Sequence, residues 1–343
     1  MAFSGDKTWG VTRDDIIAAA LRKIGEYDSA DGVLVPEKTD ASLALNAITK
    51  EWSAEGIGIW VRQRTILFLS KGQPYYWLGQ NPTNDATNRI YHQATADNHF
   101  KTATLNIAGI AADTALNITD TAWLDINQQL ATKPTSAGSP QIGVRLDDGT
   151  IFWSTISSTA AGTVTMAAGL PSAAAIGRRV YVFLTRTSRP IRCLHAYRTD
   201  VHGIDTPVML IGRVNYEQQT NKFSDGDPTQ LCFEGMVAER TSSALHSRVL
   251  VWPINNSMNV DYLNLITEHY VDDLDSASQN PQFPAEWANA LIWNLAAELA
   301  FEYGLPVKDR QQLLMVAGSK KANLVNSSDL ENASVSLEPD YGR

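Results

Sequence analysis

Ile16, Ile17, Ala20, Leu21 and Ile24 recur at the spacing that puts side chains on one face of a helix. Thr12 precedes them with Asp15 three residues on, the pairing of a capping box, and Gly25 follows as a left-handed stop. A helix from Thr12 to Gly25 is therefore predicted. Ala41, Leu45, Ile48 and Trp52 mark a second helix, from near Lys38 to Glu55 and ended by Gly56, so that the two make a helical hairpin. Toward the other end, a third helix is bracketed by Pro284 and Gly304. A fourth, from near Lys308 to Asn326, carries Leu313, Val316, Ala317 and Leu324.

The third helix is apolar on more than one side. Glu286 complements its positive end, and Pro306 lies beyond its stop. Ala288, Ile292, Leu295, Leu299 and Tyr303 form the stripe expected to face a core. Trp287 and Leu291 flank that stripe, and Trp293 lies on the far side with Ala290 and Ala297. A helix apolar nearly all round is buried on several sides. The pattern leaves open whether this chain or a second subunit does the burying, which makes Trp287 and Trp293 candidate inter-subunit contacts.

Between the helical ends the period changes to two. Arg64 to Gly79 reads as two strands around Lys71-Gly72. From Ile57 to Tyr216 there is no glutamate, which is consistent with a long β-rich region because glutamate is depleted in strands. Within it, Gln141 to Thr155 predicts a hairpin with Asp148-Gly149 as a two-residue turn, which sets Ile142, Val144 and Leu146 opposite Thr155, Trp153 and Ile151. "TVTMAAGL" and "RRVYVFL" continue as short strands, and about 100 residues of such strands suggest a small sandwich of immunoglobulin-like size. Further on, "TPVMLIGRVNYEQQ" and "TQLCFEG" read as strand pieces. "ALHSRVLVWPINNSMNVDYLNLITEHYV" reads as one long hairpin turning at Asn255-Asn256-Ser257. The fold class expected is α+β: a helical bundle with a small sheet and hairpin region, an inserted β-sandwich-like domain, and an extended C-terminal tail.

A length of 343 residues fits two domains or one with a large insertion. A net charge of −9 argues against binding nucleic acid with the whole surface. No signal-peptide pattern or run of membrane-spanning length is legible, and two cysteines without metal-ligand spacing, Cys193 and Cys232, fit a reducing cytosol. Asp147-Asp148 is explained by the hairpin, and Asp272, Asp273 and Asp275 lack the glycine hinge and terminal glutamate of a calcium loop. Glu298 and Glu302 share a helix face and could in principle form an acid/base pair, but two carboxylates so placed are more often solvated or salt-bridged. No phosphate-binding glycine loop or nucleophile elbow is present. The expectation is no enzyme, no cofactor, no metal site and no membrane partner. One island is basic: between Gly149 and Thr199 there is no acidic residue, while Arg178, Arg179, Arg186, Arg189, Arg192 and Arg198 all fall there. It reads as contact with phosphates or an acidic partner surface, a protein partner being favoured, or as arginines that solvate strand edges and meet carboxylates folded in from elsewhere.

Taken in order, these segments resemble the head-to-tail adaptors of short-tailed bacteriophages, also called tail accessory factors or head completion proteins. "DDIIAAALRKIGEYD" and "DASLALNAITKEWSAEGIGIW" are similar to that family's opening helices. "LIGRVNYEQQTNKFSDGDPTQLCFE", with its Arg-x-x-Tyr and Gly-x-Pro-Thr, is similar to its middle strands. "LVWPINN" followed by "YVDDLDSASQNPQFPAEWANALIWNLAAELAFEYGLP" resembles its most recognisable stretch, and "EPDYGR" fits its end. The likeness covers Thr12 to Leu78 and Ser188 to Arg343. The stretch between resembles the β-rich insertion of larger members.

The resemblance implies a discontinuous adaptor core at 1–80 and 186–327, an inserted domain at 81–185 and a tail at 328–343. It implies a virion protein, assembled in the bacterial cytoplasm, that forms a homo-oligomeric ring, commonly of twelve copies. The portal sits above the ring, a tail nozzle or tube with fibres or spikes below, and genomic DNA passes through without sequence-specific contact. Leu330, Val335, Leu337 and Tyr341 are the candidate portal-docking residues of the tail, and Arg178, Arg179, Arg186 and Arg189 candidate contacts with a subunit or tail protein. Two readings from other classes stand beside it. One is a virion glycan hydrolase using Glu298 and Glu302; the other is a sugar-binding β-domain with Trp123 and Trp153 as stacking platforms.

Overall fold

The computed structural model describes residues 11–26, 33, 35–55, 62–79, 93–95, 99–200, 204–238, 245–256, 260–279 and 285–331. The helices in chain order are α1 Arg13–Ile24, α2 Val35–Glu55, α3 Arg213–Glu217, α4 Ala288–Glu302 and α5 Val307–Glu331. The strands are β1 Arg62–Phe68, β2 Tyr75–Leu78, β3 Ala94–Thr95, β4 Lys101–Thr104, β5 Ala115–Asn117, β6 Leu124–Asp125, β7 Gln141–Arg145 and β8 Ile151–Ala160. They continue as β9 Thr163–Met166, β10 Arg179–Phe183, β11 Pro190–Asp200, β12 Asp205–Leu210, β13 Gln230–Ala238, β14 Leu245–Trp252 and β15 Val260–His269. The chain divides into two units, Met1–Val61 with Tyr270–Arg343, and Arg62–His269.

In the first unit α1 forms as its sequence dictates. The Thr12 hydroxyl accepts from the Asp15 N–H at 3.3 Å, the Asp15 carboxylate accepts from the Thr12 N–H at 3.1 Å, and Gly25 closes the helix at φ 82°. A short 3-10 turn, Ala285–Trp287, leads into α4, which packs against α1, α2 and α5. Three helical partners account for its apolar sides: Ala290, Leu291, Leu295, Ala297, Leu299 and Ala300 are all buried, the alanines allowing close approach. Ile292 and Tyr303, expected in the core stripe, are only partly buried. α5 runs on to Glu331, past both the Asn326 end and the residue-328 tail boundary read from the sequence. Gly56, Pro284, Ser257 and residues 332–343 lie outside the described residues.

The second unit overturns the expected fold class. Strand outweighs helix in the described chain, and the larger unit is built of two sheets; a helical-bundle core with a small sheet is not what these residues form. One sheet has eight strands in the order β2-β14-β13-β12-β11-β15-β1-β3, antiparallel except at β12/β13. β2 and β1 stand six places apart in it, about 29 Å if the sheet were flat. The link from Phe68 to Tyr75 reaches at most about 24 Å fully extended, and the Lys71-Gly72 turn shortens it further. The sheet must therefore curl, and all eight strands deliver side chains into one interior, among them Leu67, Tyr76, Ala94, Ala196, Val208, Leu231, Val249 and Leu263.

Three predicted pairings are corrected by this topology. β1 and β2 do not pair with each other; β1 takes β15 and β3, and β2 takes β14. The long hairpin is also wrong, because β14 joins β13 and β2 whereas β15 joins β1 and β11. A turn signal fixes where a chain reverses, not which strand it then meets. Third, the Asp148 turn has three residues. The Leu146 N–H bonds the Thr150 carbonyl, and Asp147, Asp148 and Gly149 form the loop with Gly149 at φ 83°, the left-handed position of a three-residue turn. The register moves by one, pairing Ile142 with Ser154 and Gly143 with Trp153, and a one-residue slip reverses faces. Trp153 thus crosses to the far side, over Gly143, where a Cβ would lie 2.7 Å from its ring.

The other sheet is a single antiparallel one of seven strands, β5-β9-β8-β7-β10-β4-β6, rather than the two sheets of a sandwich. It has its own core of Leu105, Leu116, Trp123, Ile142, Val144, Val164 and Val180. Its opposite face presents Phe100, Tyr181, Phe183 and Trp153 to Ile66, Phe68 and Tyr262 of the eight-stranded sheet. Phe68 is central, with ring centroids 4.8 Å from Trp153 and 5.0 Å from Tyr181.

Candidate functional site

β15 is covered on both sides, by the interior of its own sheet and by the second sheet. It nevertheless carries Asp261, Asn264, Thr267, Glu268 and His269, all buried. Each needs a partner, because an unpaired buried polar group is costly. Asp261 receives Arg145 Nη1 at 2.5 Å and the Tyr181 hydroxyl at 2.5 Å, with the Arg145 and Asp261 side chains each 4% exposed. Burial, then the Asp261 charge, push the Tyr181 hydroxyl well above the ordinary phenol range. The Asn264 amide donates to Thr199 Oγ1 at 2.8 Å, and that hydroxyl donates to Asp205 at 2.6 Å. Glu268 lies 3.1 Å from Arg62 and 3.7 Å from Arg192. His269 sits between Ser188 Oγ, 2.9 Å from Nδ1, and Thr267 Oγ1, 2.8 Å from Nε2. A hydroxyl therefore occupies the place where a Ser–His hydrolase puts its orienting carboxylate.

One end of this polar strand opens into a cavity of roughly 270 Å³ between the two sheets. The register builds its floor: Ile66, Asn264 and Tyr197 stand in one cross-strand row, and Tyr262 and Thr199 in the next. Arg64, Arg179, Asp205 and the Ile126–Gln128 loop complete the wall. Arg64 donates to the Ile126 carbonyl and, at 3.2 Å, to Asn127 Oδ1. Burial opposes the charge on Arg179, but Tyr181, Tyr262 and Asp261 around it prevail and hold its guanidinium above its ordinary range.

The basic island is largely paired within its own unit. Arg178 Nε donates to Asp147 at 2.8 Å; the Ala175 N–H, then Arg178, hold that carboxyl below the ordinary carboxylate range. Arg189 reaches the Gly235 carbonyl at 3.0 Å and Arg186 reaches Gln93 at 3.3 Å, with burial lowering the Arg186 pKa. Arg198 meets the Pro228 carbonyl at 3.1 Å. Only Arg179 of the group lines the cavity. Trp287 is buried, edge-on to Trp52 at 5.7 Å, whereas Trp293 is half-buried beneath Lys23 at 4.7 Å. Trp123 is fully buried and Trp153 packs between the sheets, so neither offers a free stacking face. Glu298 and Glu302 are exposed on α4 and do not line that cavity. Lys50 pairs with Asp273 at 2.8 Å, and no cluster suited to a metal is found among the described residues. Leu330 lies in the last turn of α5; Val335, Leu337 and Tyr341 fall outside the described residues. Among the described residues, no helix is long and apolar enough to cross a membrane.

The residues missed by the sequence reading are Arg145, Asp261, Tyr181 and the cavity set of Arg64, Tyr197 and Asn264. A signal for the polar strand was present: in "DYLNLITEH" polar residues fall at both parities, which a strand with one wet face does not need.

No protein-family model matches this chain, and no curated protein does. Among solved structures, VP17, a capsid protein of bacteriophage P23-77, is 10% identical over 64% of this chain and 73% of that one, with a TM-score of 0.11. A score so low carries no argument about fold or role.

Proposed function

We propose that the chain is a head-to-tail adaptor of a short-tailed bacteriophage. In this reading copies close into a ring below the portal, extend the DNA channel and present a platform to the tail. The observation that carries it is the order of the matching sequence stretches at the two ends of the chain. The geometry lends support, because seven of the eight strands of one sheet, β1, β2 and β11 to β15, come from the matching ends, the short β3 being the exception. β4 to β10, from the stretch between, make up the seven-stranded one.

A ring needs a heterologous contact, two different patches on each copy. Val307, Leu314 and Met315 of α5 and Phe301 of α4 are exposed apolar side chains, with Val307 and Leu314 two helical turns apart and so on one face. This strip, rather than the buried Trp287, is the proposed subunit contact. The chain beyond α5 is the proposed portal strap. Removing residues 332–343 spares every described helix, so the truncated protein is expected to keep its circular dichroism and melting temperature but lose association with the portal ring in co-sedimentation. Undiminished association would overturn the strap.

A further inference from the structure

We infer that the cavity between the two sheets of Arg62–His269 binds one carboxylated sugar ring, with Arg64 and Arg179 taking the carboxylate and the Tyr197 and Tyr262 side of the cavity taking the ring. This inference does not depend on the adaptor reading.

Charge argues for an anion. Two guanidiniums line the cavity against one carboxylate, Asp205, which already accepts a 2.6 Å hydrogen bond from Thr199; Asp261, which also acts on Arg179, lies outside the lining and is matched by Arg145. In a chain of net charge −9 this is a locally positive hollow, and a low-dielectric wall strengthens its field. Guanidinium matches carboxylate geometry in bidentate fashion. The rest of the lining argues against a bare anion. Asn127, Gln128 and Asn264 offer carboxamides, Tyr197 and Tyr262 offer phenols, and Phe100 adds an apolar edge. A polyol ring with one acidic substituent uses all three kinds of group; phosphate alone uses only the arginines. Size then limits the ligand. Roughly 270 Å³ falls just below the ~300–1,000 Å³ of pockets that enclose drug-sized ligands, so one ring fits and a longer glycan must leave by the mouth. Asn127, Gln128 and Asp205 are exposed at that mouth.

The rim is built in advance of any ligand. Asp125 Oδ1 accepts from the N–H groups of Asn127 and Gln129, both at 2.8 Å, and Arg64 ties the same loop to β1. Gln128 is held at φ 62°, a left-handed conformation unusual for a side chain with a Cβ. Strain of this kind concentrates at ligand clamps, and a rigid rim lowers the ordering cost of binding.

The test uses the full chain with glucuronate, glucose and inorganic phosphate as probes, followed by calorimetry and by chemical-shift mapping on the unmodified protein. Glucuronate is expected to saturate and to shift resonances of Tyr197 and Asn264, with glucose about tenfold weaker for want of the charge-assisted bonds. Arg64→Gln and Tyr197→Ala should each weaken glucuronate by about tenfold, Arg64→Gln also loosening the Ile126–Gln128 rim that Arg64 ties to β1. Three results would each overturn the inference: no saturable glucuronate binding, glucose binding as tightly, or phosphate matching glucuronate with Tyr197→Ala without effect. Shifts confined to residues away from the cavity would do the same, whether or not the variants fold.

Discussion

Asp261→Ala is expected to destabilise the Arg62–His269 unit by about 3–5 kcal/mol, the usual cost of removing one partner of a buried ion pair. Arg145 and Asp261 are each almost sealed from water, and the pair joins β7 of one sheet to β15 of the other. With Asp261 gone, the Arg145 charge stays buried, and its Nε already lacks a hydrogen-bond partner. The Tyr181 hydroxyl loses its 2.5 Å acceptor in the same stroke. Denaturant titration would read the change as an earlier transition of the β unit. Two companions separate the causes. Tyr181→Phe removes one neutral donor to a charged acceptor and should cost less, about 1.5–3 kcal/mol. Arg145→Met combined with Asp261→Leu removes both charges, and should recover much of the loss because apolar replacements of a buried pair are often neutral or better. A single variant Asp261→Ala as stable as the parent would mean that the two sheets are held by Phe68 and its aromatic neighbours alone.

Trp52→Ala is expected to cost the helical unit about 3–5 kcal/mol, the range for removing a large aromatic from a core. Trp52 is 2% exposed, meets Trp287 edge to face, and carries Lys321 5.4 Å above its ring, so it links α2, α5 and the turn before α4. Edge-to-face pairs add about 0.5–1.5 kcal/mol beyond area burial, which places Trp52 toward the top of that range. Helical circular dichroism should melt earlier. Trp293→Ala, half-buried under Lys23, should move the same transition little; an equal loss from both would contradict the burial difference between them.

What the sequence made legible was local. The capping box of α1, the Gly25 stop and the many-sided burial of α4 follow from side chains a few residues apart, and the structure has them. The places where the chain turns were legible too, at Lys71-Gly72 and around Asp148-Gly149, although the second turn has one residue more than was read and shifts the register. Pairing was not. β14 and β15 look like a hairpin because they are adjacent in the chain, yet β13, β12 and β11 stand between them in the sheet, a choice made by side chains distant in sequence. The same limit hid the site. Nothing near Arg145 announces Asp261, and Asn264 and Tyr197 become neighbours only through the β11/β15 register. The Arg178 to Arg198 island shows the converse: unusual in sequence, it is mostly absorbed by Asp147, Asp227, Glu268 and backbone carbonyls of its own unit.

The adaptor reading joins a sequence resemblance to an exposed strip on α4 and α5 and a chain end beyond α5. Its ring contact is the strip of Phe301, Val307, Leu314 and Met315. Electron microscopy of the virion, with this chain fitted to density and its copies counted, tests the reading most directly. The account predicts a closed ring of this chain seated on the portal, with α5 toward a neighbouring copy. Finding the chain in the capsid shell or in a fibre, with no ring of it at the head-to-tail junction, would contradict it.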